Sequence, residues 1–212
     1  VLSIIQTGSL FIISGPSGSG KGTVVKALAA ASPEFALSVS VTTRKKRESE
    51  VHGVHYFFIN EDQFITLRDT DRLLEHASFI GNLYGTPRSY VDEQIQEGKT
   101  VLLEIEVNGA LQVKSRYPDA VLIFLIPPDF DELNRRLADR GTEDSETVRA
   151  RMVRAREEVA LIDKYDYLII NDKIENAVSD IKMIAHAEKL KTTKRVDFEA
   201  GFYNNNNQAS AL

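Results

Sequence analysis

The stretch from Leu10 to Thr23, LFIISGPSGSGKGT, constrains this chain more than any other part of it. An apolar run breaks into a glycine-rich loop that ends in Lys21 and a hydroxyl residue. Gly15, Gly18 and Gly20 let the backbone take conformations that turn several N–H groups inward, forming a nest for phosphate oxygens. Lys21 adds a point charge toward the terminal phosphates, and the following helix sets the positive end of its dipole against them. A turn that only joins a strand to a helix needs neither three glycines nor the lysine. The whole loop, Gly15, Pro16, Ser17, Gly18, Ser19, Gly20, Lys21, Gly22 and Thr23, therefore reads as a nucleotide phosphate cradle. It departs from the usual pattern at one point. Ser or Thr ordinarily follows the lysine and binds magnesium directly, but here Gly22 takes that place and the hydroxyl comes one residue later, on Thr23.

The rest of the chain fits an α/β protein built around that loop. Val101–Ile105, Val121–Ile126 and Tyr167–Ile170 are short branched runs, each followed by helical sequence. That alternation predicts buried strands of a parallel sheet with crossover helices. Asp129 with Glu132, and Asp172 with Glu175, have capping-box spacing at helix starts. Leu133 and Leu137 fit a helix ending near Gly141. The segment from Ser38 to Tyr84 reads differently: strands over Ser38–Thr42, Tyr56–Ile59 and Leu73–Ile80, with a short helix capped by Asn60. We expect a three-layer core over 1–37 and 88–200, a small β-rich lobe inserted at 38–87, and a short polar lid at about 139–147. The start of the chain reads as a strand rather than a signal peptide, having no basic n-region, and the asparagine-rich 201–212 reads as disordered.

Composition narrows the class of ligand. A net charge of −5 argues against a nucleic-acid partner, which needs a basic surface, and no run reaches the roughly eighteen apolar residues of a membrane span. The basic residues gather instead at Arg44–Arg47 and between Arg135 and Arg156, which suits a small anion better than a polymer. Cysteine is absent, so thiolate chemistry and disulfides drop out; this is compatible with the cytoplasm, where we expect the protein.

A second group of residues speaks to a second ligand. Arg44 and Arg47 lie three apart, and a short turn would aim both guanidinium forks at one phosphate, with Tyr56 adding a hydroxyl donor. Read alone, that segment is equally well a solvated basic loop. Glu75 follows Leu73 and Leu74 against an apolar wall. One carboxylate there can accept the adjacent N1–H and 2-amino donors of guanine, a pair adenine lacks, while Ser40 and Thr86 offer hydroxyls toward the guanine carbonyl. Taken by itself Glu75 is more simply a surface carboxylate. Glu104 and Glu106 alternate along one expected strand and should share a face. His52 and His55 have an H-x-x-H spacing but no third ligand, which makes them loop histidines rather than a metal site.

The stretches GPSGSGKGT, SVSVTTRKKR, GVHYFF, GNLYGTP, LLEIEVNGA, RLADRGT and IIND together make the sequence resemble the guanylate kinases along almost its whole length. The resemblance implies ATP and GMP as substrates and Mg2+ as cofactor. It places Ser40, Arg44, Arg47, Tyr56, Glu75, Tyr84, Thr86 and Glu106 at the guanylate positions. Arg136, Arg140 and Arg151 fall on lid arginines that act with Lys21 and Arg44 in catalysis, and Asn171 lies near the donor adenine. Small-molecule kinases of this type often carry Gly-Lys-Gly-Thr and hold the metal mainly through water. Glu104 resembles the acidic residue that supports that hydrated magnesium, and Glu106 then touches the acceptor or orients Arg44; these two assignments are interchangeable. Lys45 and Lys46 receive no role. Three other readings remain open: a kinase for another small phosphate, a silent phosphopeptide-binding module of related fold, and a GTPase-type switch. The first conflicts with the Glu75, Ser40 and Thr86 set, the second with the retained Lys21 and glycines. Nothing resembling N-K-x-D supports the third.

Overall fold

The computed structural model describes residues 5–79, 81–139 and 145–196. A short strand β1 (Ile5–Gln6) precedes β2 (Ser9–Ser14), the phosphate loop and α1 (Lys21–Ala31). Then come β3 (Phe35–Leu37), β4 (Val41–Thr42), β5 (Phe57–Phe58), α2 (Glu61–Asp69), β6 (Leu73–Phe79) and β7 (Asn82–Pro87). The remaining elements are α3 (Arg88–Gln96), β8 (Thr100–Glu104), α4 (Val107–Arg116), β9 (Val121–Ile126), α5 (Phe130–Ala138), α6 (Ser145–Val159), β10 (Tyr167–Ile170), α7 (Ile174–Lys189) and β11 (Arg195–Val196).

Five strands form a parallel sheet in the order β10-β9-β2-β8-β3. Its central strands alternate their side chains between two apolar layers, which is why they read as continuous hydrophobic runs. Phe11, Ile13, Leu102, Ile123 and Leu125 pack on one side against Val24, Val25 and Leu28 of α1 and Ala177, Ile181 and Ala185 of α7. Leu10, Ile12, Val101, Leu103 and Leu122 pack on the other against Val91 of α3 and Ala110 and Val113 of α4. The expected three-layer core is what these contacts build. With every strand parallel, the C-terminal ends of β2 and β8 open side by side, and the phosphate loop and the Glu104–Glu106 segment leave the sheet at that edge.

A second sheet, in the order β5-β4-β7-β6, occupies the stretch read as β-rich. Its apolar face, with Val41 and Leu73, closes over Phe64 of α2. Helix α2 starts where expected: Asn60 accepts from the Gln63 N–H at 2.8 Å, and the Gln63 side chain accepts from the Asn60 N–H at 3.0 Å.

The structure corrects several local expectations. The strand read over Ser38–Thr42 shortens to Val41–Thr42, and that over Tyr56–Ile59 to Phe57–Phe58. Tyr167–Ile170 is a sheet-edge strand, with Leu168 and Ile170 about half exposed, because helix α7 covers one of its faces only. Asp129 caps α5 through the Glu132 N–H at 2.7 Å, but Asp172 does not cap α7. The Asp172 carboxylate turns to the N–H of its neighbour Lys173 and to the Asn176 amide, and the helix begins one residue later than the spacing predicts. Helix α5 ends at Ala138. Most of the expected lid, including Arg140, and the asparagine-rich tail lie outside the described residues.

Candidate active site

The phosphate loop is locked by its surroundings. Gly15 and Gly20 have φ of 140° and 91°, conformations that favour glycine, and a Cβ at Gly15 would stand 2.1 Å from the Leu125 carbonyl oxygen. Gly20 hands directly into α1, so the first N–H groups of that helix face the loop. Lys21 arches back, its Nζ donating to the carbonyls of Gly15 at 2.8 Å and Pro16 at 3.0 Å. A cavity of about 470 Å³ opens over Ser17, Gly18, Gly20, Lys21, Gly22 and Thr23. Lys26 and Glu104 complete its wall, and the carboxylate of Glu104 lies 3.2 Å from where a Cβ on Gly22 would stand. The missing side chain at Gly22 is thus the space that brings Glu104 against the loop.

Asn171 has a structural task that its sequence position did not reveal. It is buried, and its Nδ2 donates to the Ser19 carbonyl at 2.8 Å, bracing the loop from behind. Its own carbonyl accepts from Arg136 Nη2 at 2.9 Å. Arg136 is held in turn by Glu132 at 2.7 Å; the guanidinium groups of Arg135 and Arg136 draw the Glu132 carboxyl down to about 2. Arg136 therefore sits on α5 beside Gly20 rather than within the polar lid segment, while Arg151 of α6 donates to the Ser17 hydroxyl at 3.0 Å. Truncating Asn171 to alanine is expected to leave the Ser19 carbonyl buried and unpaired, lowering stability by about 1–3 kcal/mol. Chemical denaturation reads this directly.

A second cavity, of about 480 Å³, lies between the two sheets and gathers Ser40, Tyr56, Glu75, Tyr84, Glu104 and Glu106. Glu75 is 6% exposed, and its Oε1 accepts from the fully buried Thr86 hydroxyl at 2.7 Å. Burial raises the Glu75 pKa and the Thr86 hydrogen bond opposes the rise. So Glu75 is no surface carboxylate. Tyr56 and Tyr84 stand edge to face, and Arg44 lies over the Tyr56 ring at 5.6 Å.

The arginine pair is arranged differently from expectation. Arg44 and Arg47 do not converge through two guanidinium forks. Both instead meet Glu50: Arg44 donates to its two oxygens at 3.0 and 2.7 Å, and the backbone N–H of Arg47 donates at 2.8 Å. That set draws the Glu50 carboxyl down to about 2, the Arg44 hydrogen bond foremost. Lys45 and Lys46 also serve this turn, through the Lys45 carbonyl to Arg44 and the Lys46 amine to the Glu50 carbonyl. A search for basic residues passes over Glu50, although an acid six residues from Arg44 within one turn was the available signal. Glu106 is also corrected. The strand ends at Glu104, and Glu106 stands at the start of α4, so alternation does not relate the two acids. It pairs with Arg154 at 2.7 Å, not with Arg44, though both acids still line the second cavity. His52 and His55 accept backbone N–H groups through Nδ1, at 3.1 and 3.0 Å, which makes them loop braces.

Comparison with known proteins bears on this geometry. The family model "Guanylate kinase" matches residues 7–188. The chain belongs to the guanylate kinase family. The guanylate kinase of Oceanobacillus iheyensis is 49% identical over 188 residues, covering 89% of this chain and 91% of that one. That of Lactococcus lactis is 45% identical over 192 residues, covering 91% and 94%. The crystal structure of guanylate kinase from Anaplasma phagocytophilum superimposes with a TM-score of 0.74 at 31% identity, covering 93% of this chain and 95% of its own. In this guanylate kinase fold a cleft runs past Arg151 to Lys21; it shares Glu104, Glu106 and Arg154 with the second cavity, and Ser17, Lys21 and Glu104 with the first.

Proposed function

We propose that this guanylate kinase transfers the terminal phosphoryl group of ATP to GMP, with the phosphate loop as donor site and the second cavity as acceptor site. The observation that carries the reading is the buried Glu75–Thr86 pair facing a cavity that adjoins the loop. A desolvated carboxylate with three lone-pair sites still open matches the N1–H and 2-amino donors of guanine. The stretch 38–87 is then the acceptor lobe, with Ser40, Tyr56 and Tyr84 around the nucleotide and Arg44 and Arg47 toward its phosphate. Lys21, Arg136 and Arg151 surround the donor phosphates. We place Arg140, with the lid, on the transferring group.

The acceptor phosphate is already a nucleophile at neutral pH, so the protein's work is positioning and charge neutralisation in a site closed to water. Glu104 and Thr23 are suited to magnesium held through water. The site offers one carboxylate beside the loop, and no cluster of three acidic or histidine ligands occurs among the described residues, which fits an ion held chiefly by phosphates and water. The bound ion would neutralise charge on the donor phosphates.

Glu75→Gln tests the reading. It preserves size but removes the charge and one acceptor oxygen, so GMP affinity should fall roughly ten- to a hundred-and-fiftyfold while ATP affinity stays unchanged. Equal weakening of both nucleotides by titration would make Glu75 structural. A pH series adds a second check. Because burial raises the Glu75 pKa, its proton returns above the ordinary glutamate range as pH falls, and GMP affinity falls with it. The nucleotide's own phosphate titrates equally in wild type and Glu75→Gln, so the excess acid-side loss should appear in the wild type alone.

A further inference from the structure

Helix α6 presents two arginines, Arg151 and Arg154, one turn apart and therefore on neighbouring parts of its surface. They reach different places. Arg151 meets Ser17 on the phosphate loop, whereas Arg154 stands where the donor cleft and the acceptor cavity join, lining both. Its guanidinium is divided between two carboxylates. One nitrogen donates to Glu106, at 2.7 Å, on the acceptor side; another donates to Glu158, at 3.1 Å, on the donor side. Two acids already answer its one charge, so Arg154 is not an anion-gripping group like Lys21. Its geometry is that of a strut. Without it, Glu106 and Glu158 would lose the guanidinium they share beside the path of an incoming phosphate. Glu158, half-buried, already has a raised pKa because burial disfavours its charge, and Arg154 opposes that rise.

We propose that Arg154 is a positioning residue for the acceptor nucleotide, fixing the Glu106 carboxylate at the mouth of the acceptor cavity and tying it to helix α6. This rests on the reading of that cavity as the GMP site. The tie to Glu106 spans α6 and the β8–α4 junction, two elements the chain joins only through a long intervening segment, so it fixes their relative placement at the point of transfer, while the tie to Glu158 lies within α6 and steadies the guanidinium.

Steady-state kinetics with GMP and ATP varied separately, on Arg154→Gln, Arg154→Lys, Glu106→Gln and the double variant Arg154→Gln/Glu106→Gln, provide the test. Arg154→Gln should raise KM for GMP roughly two- to fivefold and leave KM for ATP unchanged, the upper part of the range for an exposed pair. The melting temperature should hold, since the side chain is 52% exposed. Lysine, with a compact ammonium in place of a fork, should recover part of the loss. The double variant should bind GMP no worse than Glu106→Gln alone, as expected for residues acting in series. An unchanged KM for GMP, an equal rise in both KM values, or additive losses in the double variant would each overturn the proposal. A wild-type enzyme that did not use GMP would instead bring down the acceptor reading, and the proposal with it.

Discussion

GMP is expected to be preferred over AMP as acceptor by roughly 10⁴-fold in kcat/KM. The reason lies in what adenine would leave undone. Glu75 is buried, with one oxygen already engaged by Thr86, so once a nucleotide fills the cavity its remaining lone pairs have no solvent to turn to. Guanine brings two adjacent N–H donors to that carboxylate. Adenine brings a ring nitrogen acceptor and a C–H to the same edge, leaving a charged group buried, unpaired and opposed by a like dipole. A missing methylene discriminates weakly, but a missing donor at a desolvated acceptor discriminates strongly. ADP release from ATP with GMP, AMP, UMP and dTMP as rival acceptors measures the ratio. Equal turnover of AMP and GMP would remove the guanine assignment.

Lys21→Ala is expected to lower kcat by roughly 10³-fold or more, in the range seen when a preorganised charge is taken from a transferring phosphoryl group. The fold should survive. Lys21 lies at the rim of the loop, tied to the Gly15 and Pro16 carbonyls, and takes no part in either apolar layer of the sheet. The substitution removes those two hydrogen bonds but leaves the backbone conformations of the loop glycines and the Asn171 brace from behind, which hold the loop's shape. Circular dichroism should therefore match wild type while turnover nearly vanishes. Wild-type rates with a normal spectrum would place the donor elsewhere.

What the sequence discloses about this site follows the range of the interactions involved. The phosphate loop is legible because its requirements are local: glycines where φ is positive, a lysine at its end, a helix directly after. The strand Val121–Ile126 is legible for the same reason, its apolar run matching the two-sided burial that a central parallel strand demands. Asp172 shows where local pattern fails. Its spacing to Glu175 suits a cap, but the carboxylate finds Lys173 and Asn176 first, and spacing cannot rank such competitors. Glu106 fails because strand alternation was carried past the residue where β8 stops. Arg154 and Asn171 were hidden altogether in their structural roles. Their partners lie 48 and 152 residues away in the chain, so only the fold brings them to the site.

The pairing of Arg44 with Glu50 bears on how an acceptor is captured. A bare guanidinium would draw anions from about a Debye length away, roughly 8–10 Å at ordinary ionic strength. Here a carboxylate satisfies the fork from within, and from afar the couple presents a dipole rather than a charge. If Arg44 holds the acceptor phosphate as proposed, capture through it owes little to long-range attraction and should be correspondingly insensitive to salt. Discrimination falls to the last few ångströms, where an anion must share or replace the Glu50 oxygens to be held. Inorganic phosphate and other small anions, drawn by charge alone, gain little foothold at an Arg44 fork that Glu50 already fills.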